Sequence, residues 1–495
     1  MQYFNTDDVT VYLAPAGAGK TQLLMDDMSL ALEKYRPDEV AFVTFTRKGV
    51  ANGIERALAK HRELKEDDLI HFQTLHALCF KETGLVHKNI IERYDIEQFN
   101  NLFGFNIHLA EAFENTTEDD KLLQRYDAVR AGCKRGVLVE RAFNEERFDR
   151  LVSAYEAFKE ANDLVDFYDC LLKFRDRGLP VAAKAALIDE AQDLTPLQWE
   201  VCKIAFSGCE MVRIAGDDFQ SLFSYAGASP EILIAMTNVY KTVKAEKSYR
   251  LSQAVYRFSR GITSLISEKV DKDSVPIKEL EGFVKKEFDR NILCRKVKED
   301  LEKNGALPNR WYMLFRNNCF IVDITPTLEQ YLIPYHTAKG FVVEGRSMLK
   351  IRRYYSYRKE GYGTKESKEA FCKAYNIKDL NDDFTESDLI PGENRYKFLD
   401  YVNKYGLDKL EEMAKSPPFL LVTTPHRVKG GEAEFAVVFL DCTRMVSENI
   451  LLNVDEELRV LYVACTRPKN GLYLVPSIGR YGLDRIVDLA QEVIS

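Results

Sequence analysis

Short apolar runs, separated by longer stretches of mixed apolar and polar residues, recur along the whole chain. The strand-sized runs are Val9–Leu13, Val40–Thr44, Ala186–Asp189 and Met211–Ala215 in the first half. In the second half they are Thr242–Ala245, Trp311–Phe315, Leu420–Thr423, Val437–Leu440 and Leu472–Val475. Strands spaced by helical segments predict parallel sheets clad in helices, a layout that binds ligands at the carboxyl ends of its strands. Two charged, helix-rich stretches, 84–160 and 341–417, interrupt the pattern and read as insertions. No run reaches the length of a membrane span, and no internal repeat stands out.

Composition narrows this picture only a little. With 495 residues, 46% hydrophobic and 29% charged, the chain reads as a soluble globular protein of several structural units. A net charge of −8 argues against a wholly basic nucleic-acid coat but leaves room for a local basic groove. The ten cysteines lack Cys-x-x-Cys spacing and read as reduced thiols of a cytoplasmic protein, not as metal ligands. Met1 to Asp8 carry neither a basic nor an apolar leader segment, so secretion is not expected.

Two strings carry chemistry. Ala14-Pro15-Ala16-Gly17-Ala18-Gly19-Lys20-Thr21 follows the first apolar run, as a loop of small residues must if its N–H groups are to wrap phosphates. Lys20 would reach the β/γ-phosphates, and Thr21 would ligate Mg²⁺ at the start of a helix. Far downstream, Leu187-Ile188-Asp189-Glu190-Ala191-Gln192-Asp193 is an apolar strand ending in paired carboxylates, one suited to hold Mg²⁺ and one to orient an attacking water. Either string alone fits an ordinary turn or a solvated strand end. Together they point to a nucleoside triphosphatase that uses Mg²⁺.

Further strings keep a fixed order: Thr44-Phe45-Thr46-Arg47-Lys48, Thr74-Leu75-His76, Leu164-Val165-Asp166-Phe167, Gly216-Asp217-Asp218-Phe219-Gln220-Ser221-Leu222-Phe223-Ser224-Tyr225 and Tyr249-Arg250. Then come Leu314-Phe315-Arg316, Thr424-Pro425-His426-Arg427-Val428-Lys429-Gly430-Gly431-Glu432, and Glu456 through Arg467. The chain resembles the UvrD/Rep/PcrA type of superfamily 1 DNA helicase from residue 9 to about 475. The resemblance implies an α/β fold with two RecA-like P-loop domains built on parallel sheets, each carrying a mainly helical insertion. It divides the chain into 1–83 and 161–240 for the first RecA-like domain, with 84–160 inserted. The second RecA-like domain is then 241–340 and 418–495, with a reduced insertion at 341–417.

By the same resemblance, Lys20, Asp189, Glu190, Gln220, Arg250 and Arg467 form the catalytic set. Gln220 senses the γ-phosphate, and the two arginines are supplied by the second domain. Ala16, Gly17, Ala18, Gly19, Lys20, Thr21, Gln22, Tyr249 and Glu432 hold the nucleotide, Tyr249 against the adenine and Glu432 near the ribose, while Thr21 and Asp189 hold Mg²⁺. Thr46, Arg47, His76, Phe223, Tyr225, His426 and Lys429 contact DNA. The implied activity is ATP-dependent 3′→5′ translocation on single-stranded DNA with separation of duplex, by a monomer acting at single-strand/duplex junctions. A partner protein of replication, repair or nuclease type, and no membrane, goes with it. The alternatives are an ATP-gated nucleic-acid-binding switch or a partner-activated translocase that unwinds little.

The chain also departs from the family pattern. The glutamine motif upstream of the phosphate loop is represented at most by Gln2, and Gln22 stands where an arginine is usual. These departures predict looser selectivity for the base. Ala226 replaces an arginine and Leu75 a phenylalanine in the DNA-contacting motifs. The short second insertion and the absence of a C-terminal extension predict a compact motor. Within that insertion, Arg346 to Lys359 interleaves Lys350, Arg352, Arg353 and Arg358 with Tyr354, Tyr355 and Tyr357, which reads either as a DNA track or as a solvated helix face.

Overall fold

The computed structural model describes residues 3–108, 117–132, 144–272, 274–277, 279–343, 345–359, 369, 372–373, 389 and 394–494. Packing divides the chain into two units, the first made of Met1–Leu251, Arg260–Glu279 and Ile450–Val463. The second holds Ser252–Ser259, Leu280–Asn449 and Ala464–Ser495.

The first unit is built on six parallel strands: β1 (Val9–Leu13), β2 (Val40–Thr44), β3 (Phe72–Thr74), β4 (Ala185–Ile188), β5 (Met211–Gly216) and β6 (Lys241–Lys244). Their order is β3-β2-β4-β5-β1-β6. Successive side chains of a strand point to opposite faces, and both faces are covered here. Val9, Val11 and Leu13 join Ala186, Ile188, Val212 and Ile214 in one core. Val40, Phe42, Ala185, Leu187 and Met211 join Leu24, Met25 and Met28 of helix α1 (Lys20–Lys34) in the other. Full burial of such side chains contributes roughly 1.5–3 kcal/mol each, which explains why these runs are so evenly apolar. Described residues between 91 and 164 add a helical core of their own, where Phe99 stacks on Phe105 at 5.5 Å and packs with Leu122, Leu151, Tyr155 and Phe158.

Several elements differ from the sequence expectation. β6 does not open the second sheet but closes the first, pairing with β1 from Thr10–Lys241 to Leu13–Lys244. Beyond it, β7 (Lys247–Ser248) and β8 (Val275–Pro276) form a separate two-stranded ribbon that also packs with the first unit. β3 escaped the apolar pattern because it is three residues long and runs directly into a helix at Leu75.

Among the described residues the second unit carries seven strands: β9 (Phe283–Lys286), β10 (Trp311–Phe315), β11 (His336–Thr337), β12 (Gly340–Phe341), β13 (Leu420–Thr423), β14 (Ala433–Phe439) and β15 (Pro468–Val475). The order is β12-β11-β13-β10-β14-β15-β9, parallel throughout except for the β11–β12 hairpin. Trp311, Met313 and Phe315 of the central strand pack with Val422, Phe439 and Tyr473, and with Leu293, Val297 and Leu301 from the helix Arg290–Asn304. The fold is therefore α/β with two parallel sheets. Met348, Ile351, Tyr354, Phe398, Tyr401 and Leu410 make a smaller separate core within 341–417.

That small core bears on the two readings of the stretch from Arg346 to Lys359. Tyr354 is buried in it, and the Arg352 guanidinium is tied to Glu411 at 2.8 Å and to Asp408. The helix Gly345–Lys359 thus turns one face to its own core and spends a cation on internal ion pairs. The side chains of Arg346, Tyr357 and Arg358 lie outside the described residues, as does Gln2. The described cysteines are all free thiols, with Cys133 outside that set. Among the described residues no helix is long and apolar enough to cross a membrane.

Candidate active site

In the first sheet, β4, β5 and β1 are neighbours, so the segments leaving their carboxyl ends must lie side by side. The phosphate loop leaves β1, the Asp189-Glu190 pair leaves β4, and the Asp217–Gln220 loop leaves β5. The loop's small residues answer a backbone requirement. Gly17 has φ +75° and Gly19 φ +78°, the left-handed region where a side chain is strained. At Gly17 there is also no room, since a Cβ there would lie 2.4 Å from the Cβ of Arg250. Gly19 caps α1, and Lys20 and Thr21 open its first turn.

These residues meet. Lys20 Nζ lies 3.3 Å from Glu190 Oε2, and the Thr21 hydroxyl is 3.1 Å from Asp189 Oδ2. Burial pulls the Lys20 ammonium down, but Glu190, Asp217 and Asp189 more than offset this, and its pKa stands raised. Burial, followed by repulsion from Glu190, pushes Asp189 up to about 6. Glu190 itself is held at φ +53°, a left-handed turn that few non-glycine residues adopt and that strained sites often contain.

Gln220 is buried, and its amide donates to Asp217 Oδ2 at 2.6 Å. Gln192 bridges the two strand exits: its carbonyl oxygen accepts the Asp217 N–H at 2.9 Å while its amide nitrogen bonds Glu190. The fully buried Lys272 ammonium lies 3.0 Å from Asp217, bonds Asp218, and sits 3.3 Å from the centre of the Phe219 ring. A buried charge survives only when it is paired in this way. Sequence reading missed Lys272 and Gln192; Lys272 lies in no motif, whereas Gln192 sat unremarked between the quoted carboxylates.

Other expected nucleotide residues are distributed differently. Ser248 Oγ donates to the Ala16 carbonyl at 3.0 Å and the Tyr249 N–H to the Gly17 carbonyl at 2.9 Å. Tyr249 and Arg250 therefore group with the first unit and its phosphate loop, where the Tyr249 N–H and the Ser248 hydroxyl supply donors for loop carbonyls. The Tyr249 ring is 56% exposed, free to meet a planar ligand. Gln22 is exposed and bonds Asp26 at 3.1 Å, one turn along α1.

In the second unit, Glu432 and Arg467 stand immediately before β14 and β15, at the amino ends of two paired strands. Arg467 is buried, donates to the Gly431 carbonyl at 3.0 Å, and its own carbonyl accepts the Ala433 N–H. Lys469 forms an ion pair with Glu432. His426 lies in the 3₁₀ turn Pro425–Val428 after β13, and Lys429 caps its end.

Of the expected DNA-contacting residues of the first unit, Thr46 and Arg47 follow β2 and His76 follows β3, while Phe223 reaches them from the segment after β5. Thr46 caps the helix Arg47–Lys60, its hydroxyl accepting the Gly49 N–H at 3.0 Å, and Arg47 is exposed at the first turn. Phe45 stacks on Phe223 with centroids 5.0 Å apart. These rings border a largely apolar cavity of about 690 Å³ that also receives Arg47, His76, Phe80 and Phe167. His76 meets Phe167 edge-on, and burial holds its imidazole down to about 4, so it is neutral at pH 7. The Tyr225 side chain lies outside the described residues, although its backbone forms the turn Ser224–Ala226. Phe45 was quoted as part of a motif but not assigned; its pairing with Phe223 across the sheet is what singles it out.

A small-residue loop between β1 and α1, with an acidic pair on an adjacent strand, defines the class: a P-loop nucleotide-binding protein with a second parallel α/β unit. Residues 3–241 match the UvrD/REP helicase N-terminal domain and residues 140–477 the UvrD-like helicase C-terminal domain, and the chain belongs to this UvrD-like helicase family. It is similar to the "Probable DNA helicase II homolog" of Mycoplasma capricolum, at 22% identity over 93% of the chain and 65% of that protein. It is similar also to the ATP-dependent DNA helicase Rep of Escherichia coli, at 26% identity over 50% of the chain and 39% of Rep. A third relative, Rep of Buchnera aphidicola subsp. Baizongia pistaciae, is 22% identical over 65% of the chain and 52% of its own length. The chain thus spans roughly half the length of these relatives.

Proposed function

We propose that the chain is a DNA-dependent ATPase that translocates 3′→5′ on single-stranded DNA and separates duplex. One observation carries the reading: the phosphate loop, the Asp189-Glu190 pair and Gln220 leave three neighbouring strands, and the Phe45–Phe223 stack leads off the same sheet. Family membership and relatives named as DNA helicases support it.

The site's donors fit the nucleotide and its cation. Lys20 is a buried ammonium among three carboxylates, suited to the β/γ-phosphates. Thr21 and Asp189 offer the hard oxygens that Mg²⁺ prefers, and the raised pKa of Asp189 marks a buried carboxylate that a cation would relieve. When bound, Mg²⁺ neutralises charge on the phosphates. Glu190 accepts a proton from the attacking water, Gln220 reports the γ-phosphate, and Arg250 and Arg467 are assigned to the transferring phosphoryl group. Tyr249 stacks on the base and Glu432 serves the ribose. Phe223, Tyr225, Thr46, Arg47, His76, His426 and Lys429 are assigned to DNA, whose bases an aromatic platform grips without regard to sequence. We read 84–160 and 341–417 as insertions in the two motor domains, a division that their separate helical cores support.

The test is ATP hydrolysis with and without single-stranded DNA, for the native chain and Glu190→Gln. Removing a general base costs about 10²–10⁴ in rate. DNA-stimulated hydrolysis that falls by that factor in the variant supports the motor. Hydrolysis indifferent to DNA would favour a nucleotide-gated switch.

A further inference from the structure

We propose that one face of the helix Val454–Cys465 holds the phosphate loop in register with the Gln220 loop, with Tyr462 and Arg459 as positioning residues for turnover. The inference rests on the ATPase reading above and adds residues to it. Asp455, Arg459 and Tyr462 are spaced four and three apart, so they share one side of the helix. The packing of Ile450–Val463 places all three within the first unit.

Each residue holds a different segment. The Asp455 carboxylate accepts the N–H groups of Ser267 and Glu268 at 3.0 Å and the Ser267 hydroxyl at 2.7 Å. Buried Arg459 donates to the Asp218 carbonyl at 2.9 Å and the Glu268 carbonyl at 2.8 Å. The Tyr462 hydroxyl accepts the Ala16 N–H of the phosphate loop at 3.1 Å, and its ring meets Phe219 edge-on at 5.5 Å. Lys272, from the same stretch that Asp455 caps, grips Asp217 and Asp218 from another side. Asp217 in turn accepts from the Gln220 amide.

These bonds close a circuit. It runs from the loop amide at Ala16 through Tyr462, one helical turn to Arg459, then Asp218, Asp217 and Gln220. Ala16 is 1% exposed, so removing the tyrosine hydroxyl takes its acceptor from a buried N–H. The circuit fixes where the β-phosphate cradle stands relative to the γ-phosphate reader. Such a device matters for a ligand that spans both and little for one that ends at the β-phosphate.

Tyr462→Phe removes the hydroxyl and keeps the ring on Phe219. Compared with the native chain, we expect kcat for ATP with oligo-dT to fall about tenfold while affinity for a fluorescent ADP analogue stays within about twofold. Arg459→Lys, which keeps a cation but loses the fork, should show the same split. Native kcat in Tyr462→Phe, or equal loss of ADP affinity and kcat, would overturn the inference. If the native chain hydrolyses no ATP, the functional reading fails, and amide exchange decides the circuit alone. Exchange in Tyr462→Phe should quicken together in peptides covering 14–21 and 216–223. Quickening in the first alone, or in neither, would refute the coupling.

Discussion

Replacing Gly17 by alanine probes the phosphate loop without touching any group that does chemistry. Two costs follow from the structure. The first is backbone strain: Gly17 sits at φ +75°, and a side chain in the left-handed region costs about 1–2 kcal/mol. The second is steric. The new methyl would stand 2.4 Å from Arg250 Cβ, 3.2 Å from its N and 3.3 Å from its Cα, and the obstacle is mostly backbone. Relief requires moving the Tyr249-Arg250 segment, whose N–H bonds the Gly17 carbonyl itself. Overpacking of this kind costs typically 1–3 kcal/mol. Gly19 supplies the control, because its φ of +78° is nearly the same but a methyl there meets only Gln22 Cβ at 3.9 Å. Strain should therefore be common to both variants, and the steric cost should appear only in Gly17→Ala. At roughly 2 °C per kcal/mol for a unit of this size, Gly17→Ala should melt about 2–6 °C below Gly19→Ala in thermal denaturation of the nucleotide-free chain. Equal melting temperatures, or a lower one for Gly19→Ala, would refute the argument that Arg250 packs against the loop.

Three further outcomes follow from the same geometry. The pKa of Asp189 is raised in the fold, so the folded chain holds its proton more tightly than the unfolded one, and stability falls as pH rises from the ordinary carboxylate range through about 6. Asp189→Asn should accordingly raise the ligand-free melting temperature at pH 7.5, more than it does at pH 5, while abolishing hydrolysis; no change between the two pH values would contradict the assigned burial. Phe223→Ala removes half of the stack with Phe45 and should weaken oligo-dT binding by about 1–3 kcal/mol in a fluorescence-anisotropy titration, an effect that unchanged affinity would exclude. Arg352→Ala should leave oligo-dT affinity unaltered, since its guanidinium already faces Glu411 and Asp408, and shift stability by less than about 1 kcal/mol; a large loss of DNA affinity would restore the stretch 346–359 as a DNA track.

What sequence could and could not reveal divides along physical lines. The phosphate loop is legible because left-handed glycines and a close backbone approach force small residues into consecutive positions. Strands β1, β2 and β10 are legible for a similar reason: two covered faces demand unbroken apolar runs. β9 was not, because Phe283-Val284-Lys285-Lys286 is half polar, as suits the edge of a sheet. The affiliation of β6 was hidden because nothing in Lys241–Lys244 says which sheet it joins. Contacts between residues distant in the chain were least visible. Lys272 resembles any surface lysine until Asp217 and Asp218 are found around it, and Tyr462 resembles a core tyrosine until its hydroxyl is found on Ala16. Tyr354 shows the converse, an aromatic among arginines that suggested stacking on bases but fills a helical core.

The bond between Ala16 and Tyr462 spans 446 positions of chain. The sheet that carries the phosphate loop can assemble once the ribosome has delivered Lys244, yet the acceptor for that loop amide arrives much later. At roughly 5–20 residues per second, the stretch between Leu251 and Val463 takes roughly 10–40 seconds to synthesise. For that interval the Ala16 amide and the Asp218 carbonyl lack the partners that Tyr462 and Arg459 later supply. A fragment ending before Ile450 would keep every phosphate-loop residue and the Ser248 and Tyr249 contacts to that loop, but never gain the Tyr462 hydroxyl on Ala16. Synthesis thus orders the parts so that the nucleotide site becomes whole only after most of the second unit has been made.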